Sequence, residues 1–316
     1  MQTIVGVDMG GTLVRAARFT LDLELIERAE QPTGASEGSA VVISRLIETI
    51  RQVLPESPQE LAAIGLAVPG PLDATTGVII KAANLPFENV PIIRIVQEAL
   101  GGPVFAGNDA DLAGLAEYHL GAGRGTRNMI YMTISTGIGG GLILNGDLYT
   151  GHGQAGEIGH TVVEPDGPLC GCGRRGHLEA LASGRAIARI ARERLAADEP
   201  SLLREWVGDD LSQIDAKLVG QAAQQGDALA LSIIQQAGRY IGIAIASLMM
   251  LLNPDKFVLG GGVTRLGELL FGPLHEAVRE YALHPYYWES TPIVPAELGQ
   301  DVGLYGAAAL ARARLR

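Results

Sequence analysis

Thr3-Ile4-Val5-Gly6-Val7-Asp8-Met9-Gly10-Gly11-Thr12 opens the chain with an apolar run that stops on an acid, two glycines and a threonine. An apolar run of this length bounded by glycines predicts a strand ending in a tight turn, and Val14 to Phe19 resumes as its hairpin partner. Leu23 to Ile26 is a candidate third strand. Further on, Met129 to Ile134 is again a strand pattern. It leads into Ser135-Thr136-Gly137-Ile138-Gly139-Gly140-Gly141, which reads as a glycine turn before a strand over Leu142 to Leu144. A strand–glycine turn–strand unit at the head of each half predicts a duplicated α/β plan with a cleft between the halves.

Between these landmarks Ile43, Leu46, Ile47, Ile50 and Leu54 fall at helical spacing, as do Ile92, Ile95, Val96 and Ala99. Leu61 to Val68 reads as a buried strand halted by Pro69-Gly70-Pro71, and Val104 to Ala106 as one that stops at Asn108-Asp109. Residues 151–184 are rich in loops and unusual polar chemistry. Helical patterns follow, then a strand over Lys256 to Leu259 and a closing helix from about Val302 to Leu315.

Composition narrows the class. With 316 residues, 47% hydrophobic, the chain holds enough apolar material for a two-domain folded protein. Its net charge of −11 repels phosphate backbones and anionic lipid heads, so neither nucleic-acid nor membrane partners are expected. Ile241 to Leu252 is apolar but shorter than the ~20 residues of a membrane span, which predicts a buried core helix. The N-terminus lacks the basic region of a signal peptide, and the two cysteines, Cys170 and Cys172, are too close to bridge without strain. A cytoplasmic setting is expected.

Several residues carry chemistry. Glycines at 10 and 11 let backbone N–H groups approach phosphate oxygens, Thr12 adds a hydroxyl, and Asp8 can hold Mg²⁺ through water. The alternative is a plain hairpin turn, which the second glycine turn makes harder to sustain. Neither turn fits a Walker A or dinucleotide fingerprint. Leu259-Gly260-Gly261-Gly262 offers either a flat seat for a nucleoside or close strand–helix packing. Asp109 has two readings, a general base on an attacking hydroxyl or a cap on the next helix. His160, Cys170, Cys172 and His177 supply two nitrogens and two sulfurs, a closed tetrahedral set for structural Zn²⁺.

Asp8-x-Gly-Gly-Thr, Asn108-Asp109, Thr136-Gly-x-Gly, Glu157-x-Gly-His160 and Cys170-x-Cys-Gly-x-x-Gly, in this order, resemble the ROK family of repressors and kinases. The resemblance spans nearly the whole chain. It implies two RNase H-like lobes of the actin- and hexokinase-like ATPase type around a central cleft. A small lobe would cover 1–111 and a large lobe with the zinc loop 112–301, the closing helix 302–316 packing back on the small one. It further implies ATP-dependent phosphorylation of a hexose at its primary hydroxyl, with glucose ahead of N-acetylmannosamine and N-acetylglucosamine.

In that scheme Asp109 is the base, and Asn108, Glu157, His160 and Glu179 bind ring hydroxyls in a pocket lined by Gly70 and Asn84. Asp8, Gly10, Gly11, Thr12, Thr136 and Gly137 hold the ATP phosphates and Mg²⁺, with Gly260 and Gly261 near the nucleoside. A homodimer or higher homo-oligomer is expected. His177 stands where many members carry a cysteine, and Asp111 where asparagine is usual; an acid there would either raise the pKa of the base or face away. A sugar-responsive repressor is disfavoured, because residues 1–7 leave no room for a DNA-reading segment before Asp8. One nitrogen of His160 on zinc would aim the other at the sugar, so metal loss should raise KM for sugar far more than for ATP.

Overall fold

A computed structural model describes residues 1–73, 75–82 and 84–315, and its contacts divide the chain into two compact units. The first comprises Met1–Arg127, Gly141–Gly156 and the segment from Glu297; the second comprises Asn128–Gly140 and Glu157–Ala296. The boundary therefore falls after Arg127, not after residue 111, because the helix that follows Asn108 packs within the first unit.

In the first unit β1 (Thr3–Met9), β2 (Leu13–Thr20) and β3 (Leu25–Pro32) form an antiparallel meander. Leu23, placed by sequence in the third strand, instead sits in the preceding turn with φ of 65°, so that strand starts later and runs longer. Helix α1 (Ser39–Val53) then leads to β4 (Leu61–Val68), which pairs parallel to β1. Short strands β5 (Leu72–Asp73), β6 (Val78–Lys81) and β7 (Glu88–Val90) form a separate small sheet. Helix α2 (Ile92–Leu100) crosses to β8 (Val104–Asn108), parallel to β4, and α3 (Asp109–Leu120) follows directly. The order of the main sheet is β3-β2-β1-β4-β8.

The second sheet repeats this grammar. Strand β9 (Met129–Ile134) turns through 135–137 into β10 (Ile138–Leu144), which pairs antiparallel with β11 (Asp147–Leu148). The glycine turn is thus three residues long. Gly139, Gly140 and Gly141 are strand residues, and at Gly141 a Cβ would lie 3.0 Å from the Ala110 carbonyl oxygen. After α4 (Leu178–Ala182), α5 (Gly184–Ala196), α6 (Leu202–Val207), α7 (Ala216–Gln224) and α8 (Ala228–Leu252) comes β12 (Lys256–Gly260), parallel to β9. Helices α9 (Glu268–Tyr281) and α10 (Pro285–Ser290) precede β13 (Ile293–Pro295), parallel to β12. The resulting order, β11-β10-β9-β12-β13, matches the first sheet strand for strand.

Helix α8 is long and apolar enough to cross a membrane, yet Ile233, Ile234, Ile241, Ile245 and Met249 are buried in the protein and it packs along α9 and α7. The chain ends in α11 (Val302–Arg314), which packs on β1, β4 and α3. Its run of small residues is matched by glycines beneath. A Cβ at Gly6 would lie 2.3 Å from the Leu304 carbonyl oxygen, and one at Gly65 1.9 Å from that of Ala307. Only glycine lets helix and sheet backbones approach this closely.

Candidate active site

Parallel strands in an α/β sheet present ligand sites beyond their carboxyl ends. In the first unit those ends are Asp8 on β1, Gly70 after β4 and Asn108-Asp109 after β8, which the register Asp8↔Ala67 and Val68↔Asn108 places along one edge. The turn after β1 closes through Gly10 N–H to the Leu13 carbonyl at 2.9 Å. Buried Thr33 braces it, donating its hydroxyl to the Gly10 carbonyl at 2.7 Å and its N–H to that of Thr12 at 2.8 Å. Asn84 packs on the turn: a Cβ at Gly11 would lie 2.9 Å from the Asn84 Cβ and backbone oxygen.

Asp8 is ion-paired with Arg15, whose other nitrogen donates to the Gln300 carbonyl at 2.7 Å. Burial pushes the Asp8 carboxyl up, against the opposing pull of the Arg15 guanidinium. A divalent cation can use this desolvated carboxylate only in competition with Arg15.

At the end of β8 the capping question resolves onto Asn108. Its Oδ1 accepts the N–H groups of Ala110 at 2.9 Å and Asp111 at 3.3 Å, while its Nδ2 lies against Gly70. The Asp109 carboxylate is exposed and accepts the Ala110 N–H at 2.8 Å. It stands at the first turn of α3, at the positive end of the helix dipole. Asp111 is 5% exposed, and two positions along a helix is nearly the opposite face, so it points away from Asp109.

In the second unit the ends of β9 and β12 border a cavity of about 600 Å³. Ser135 and Thr136 of the glycine turn line it, with Gly184, Arg185, Arg192, Lys217, Gly262 and Arg265 among the rest. Gly260 and Gly261 do not line it: Gly260 packs on the Tyr131 ring, and Gly261, with φ of 92°, makes the turn that delivers Gly262. The basic lining comes from α5, from the start of α7 and from 262–266. Sequence alone does not join these residues, which lie far apart along the chain. The N-cap signals Ser183 and Asp215 are the visible clue.

His160, Cys170, Cys172 and His177 do come together, with ligand atoms all within 4.8 Å of one another. Cys172 Sγ is 3.2 Å from His177 Nδ1, and Cys170 Sγ 3.8 Å from His160 Nδ1. These two separations match edges of a tetrahedron whose arms are about 2.0–2.3 Å, and two imidazole nitrogens with two sulfurs are a donor set that suits zinc. Burial pushes the Cys170 thiol up, so binding a cation would have to displace its proton. With Nδ1 of His160 on the cluster side, its Nε2 lies 4.0 Å from the Glu157 carboxylate. Glu179, two residues past His177, accepts the Ile138 N–H at 3.0 Å.

Two sheets of this order, each with a glycine turn after its first strand, define the actin- and hexokinase-like ATPase fold. The ROK family profile matches residues 4–314, and the chain belongs to the ROK family. It is 37% identical over 314 residues to a glucokinase of Thermotoga maritima, covering 99% of this chain and 98% of that one. Among solved structures, the ROK hexokinase of Thermus thermophilus superposes with a TM-score of 0.83 at 40% identity, covering 99% of each chain. A ROK family glucokinase of Streptomyces griseus, solved with glucose and AMPPNP, gives 0.83 at 32% identity, covering 98% of this chain and 99% of that one.

Proposed function

We propose that this chain is an ATP-dependent hexokinase that phosphorylates glucose at its primary hydroxyl. The observation that carries the reading is the exposed Asp109 carboxylate at the start of α3, beside Asn108 and Gly70 on the strand edge that also presents Asp8. Asp109 takes the proton of the attacking hydroxyl as the phosphoryl group moves, and positioning supplies most of the remaining catalysis. Asn108, Glu157, His160 and Glu179 hold the ring hydroxyls, with Gly70 and Asn84 against the sugar. Asp8 holds Mg²⁺ through water, and Gly10, Gly11 and Thr12 approach the terminal phosphates.

Thr136 and Gly137 take the phosphates on the second unit, whose basic cavity is large enough for a nucleoside. Zinc held by His160, Cys170, Cys172 and His177 fixes the loop that carries Glu157 and Glu179, a structural and not a chemical task. Cys170 and Cys172 form no disulfide, which suits a reducing, cytoplasmic setting.

The names of the relatives favour glucose, and N-acetylmannosamine is the second sugar to test, since kinases of that sugar match at 34% identity. The test is an ADP-release assay with Mg·ATP over glucose, mannose, fructose, allose, N-acetylmannosamine and N-acetylglucosamine. Glucose should give the highest kcat/KM. A preference for an N-acetylated sugar would replace the substrate, and no turnover on any of these sugars would overturn the assignment.

A further inference from the structure

We infer that Glu179 is a positioning residue that joins the sugar site to the second glycine turn, so that each substrate steadies the other's site. The inference rests on the reading above, which gives Glu179 to the sugar.

Oε2 of Glu179 accepts the backbone N–H of Ile138 at 3.0 Å. A Cβ at Gly137 would lie 2.4 Å from that same oxygen, so glycine at 137 is what admits the carboxylate. A charge-assisted bond of this kind is stronger than one between neutral groups. Its other oxygen has no protein partner among the described residues and remains available to a sugar hydroxyl. One carboxylate thus serves two masters through two different atoms.

The rest of the turn is tied to the same short segment. Gly184 donates its N–H to the Ser135 carbonyl at 2.8 Å, and Arg185 to that of Thr136 at 3.2 Å. Residues 135–138 are therefore held along their length by residues 179–185, and Glu179 is the side chain among these anchors. Because the Ile138 N–H is spent on Glu179, contacts from this turn to phosphate fall to Thr136 and Gly137. The segment also begins next to His177, at the N-cap position of α4. This changes the expectation drawn from sequence: the nucleotide turn is not independent of the zinc loop, and loss of metal should weaken both substrates.

Coupling between two binding sites is reciprocal. Calorimetric titration of Mg·AMP-PNP into the full chain, with and without saturating glucose, measures the factor, and titration of glucose with and without Mg·AMP-PNP must return the same one. Wild type should show coupling on the order of tenfold, within the usual allosteric range. Glu179→Ala should weaken Mg·AMP-PNP about tenfold without sugar, the scale of a lost bond to a charged acceptor, and bring the coupling to about one. Glu179→Gln keeps a carbonyl for Ile138 but gives up the charge, so it should weaken Mg·AMP-PNP less than Glu179→Ala does and lower the coupling below the wild-type factor. A residue that merely supported the fold would lower the melting temperature without moving this factor.

Wild-type nucleotide affinity and coupling in Glu179→Ala would overturn the inference and leave the kinase assignment standing. Should that variant not fold, wild-type coupling in Glu179→Gln is the overturning result. Wild type that binds neither Mg·AMP-PNP nor glucose would overturn the assignment, and the inference with it.

Discussion

Replacing Asp109 by asparagine separates catalysis from structure at a position where sequence allowed either. The structure assigns the cap to Asn108, whose Oδ1 accepts two backbone N–H groups, so the helix start survives the change. An amide oxygen introduced by Asp109→Asn can still accept the Ala110 N–H, now held at 2.8 Å by the carboxylate. What is lost in stability is the interaction of an exposed negative charge with the helix N-terminus, about 0.3–1 kcal/mol. For a protein of this size that lowers Tm by no more than about 4 °C. Loss of a general base, by contrast, lowers kcat about 10²- to 10⁴-fold. The assay is ADP release under saturating glucose and Mg·ATP, paired with a thermal melt and glucose titration of the same preparation. Glucose affinity should change little, because the amide still bonds a hydroxyl. Near-normal kcat in a folded Asp109→Asn protein would refute the reasoning and reduce Asp109 to a helix-start residue.

Purified protein should carry about one zinc per chain by metal analysis, given a closed four-ligand set. Cys172→Ser should lower that content and weaken both glucose and Mg·AMP-PNP; zinc-free protein with wild-type affinities would dismiss the metal's role. Gly65→Val should destabilise the first unit by at least about 1–3 kcal/mol, the usual cost of overpacking, since its Cβ would lie 1.9 Å from the Ala307 carbonyl oxygen. Denaturant unfolding with an unchanged midpoint would contradict the packing described for α11. Burial, helped by Arg279, holds His275 below its ordinary pKa. The unfolded chain therefore takes up that proton first on acidification, so stability is full above about pH 6.5 and falls as pH drops below it. His275→Gln should flatten this fall in a Tm-versus-pH series, and an unaltered slope would show that other groups cause it.

Much of this is legible in the sequence for a definite reason. Strands β1, β4 and β9 are buried on both faces and read as continuous apolar runs, which need no partner to be recognised. The four metal-binding candidates are visible because they lie close along the chain. Other features depend on partners that sequence does not display. Gly139 to Gly141 look like a turn, yet they lie in β10, where at least Gly141 abuts the backbone of α3. The strands of the small sheet are two to four residues long, too short for any period to show. Lys217 and Arg265 reach one cavity from separate elements, and Glu179 meets Ile138 across 41 positions. Gly260 and Gly261 read from sequence as nucleoside seat or packing, and contacts to Tyr131 and Ile134 give the packing account its physical basis.

The segment from Glu297 belongs to the first unit although the second unit's residues end just before it. A ribosome therefore completes everything the second unit needs before it supplies the helix that covers Gly6 and Gly65. Until α11 emerges, the face of β1 and β4 that it covers is without its lid, an apolar surface of the sort that invites chaperones or aggregation. The first unit's contacts also span nearly the full length of the chain, a topology that slows folding because distant ends must meet. Order of birth is thus the reverse of order of completion: the half that starts first finishes last. A chain stopped at Ala296 should retain a protease-resistant second unit while residues 1–127 are digested, and equal protection of both would show that the first unit closes without its final helix.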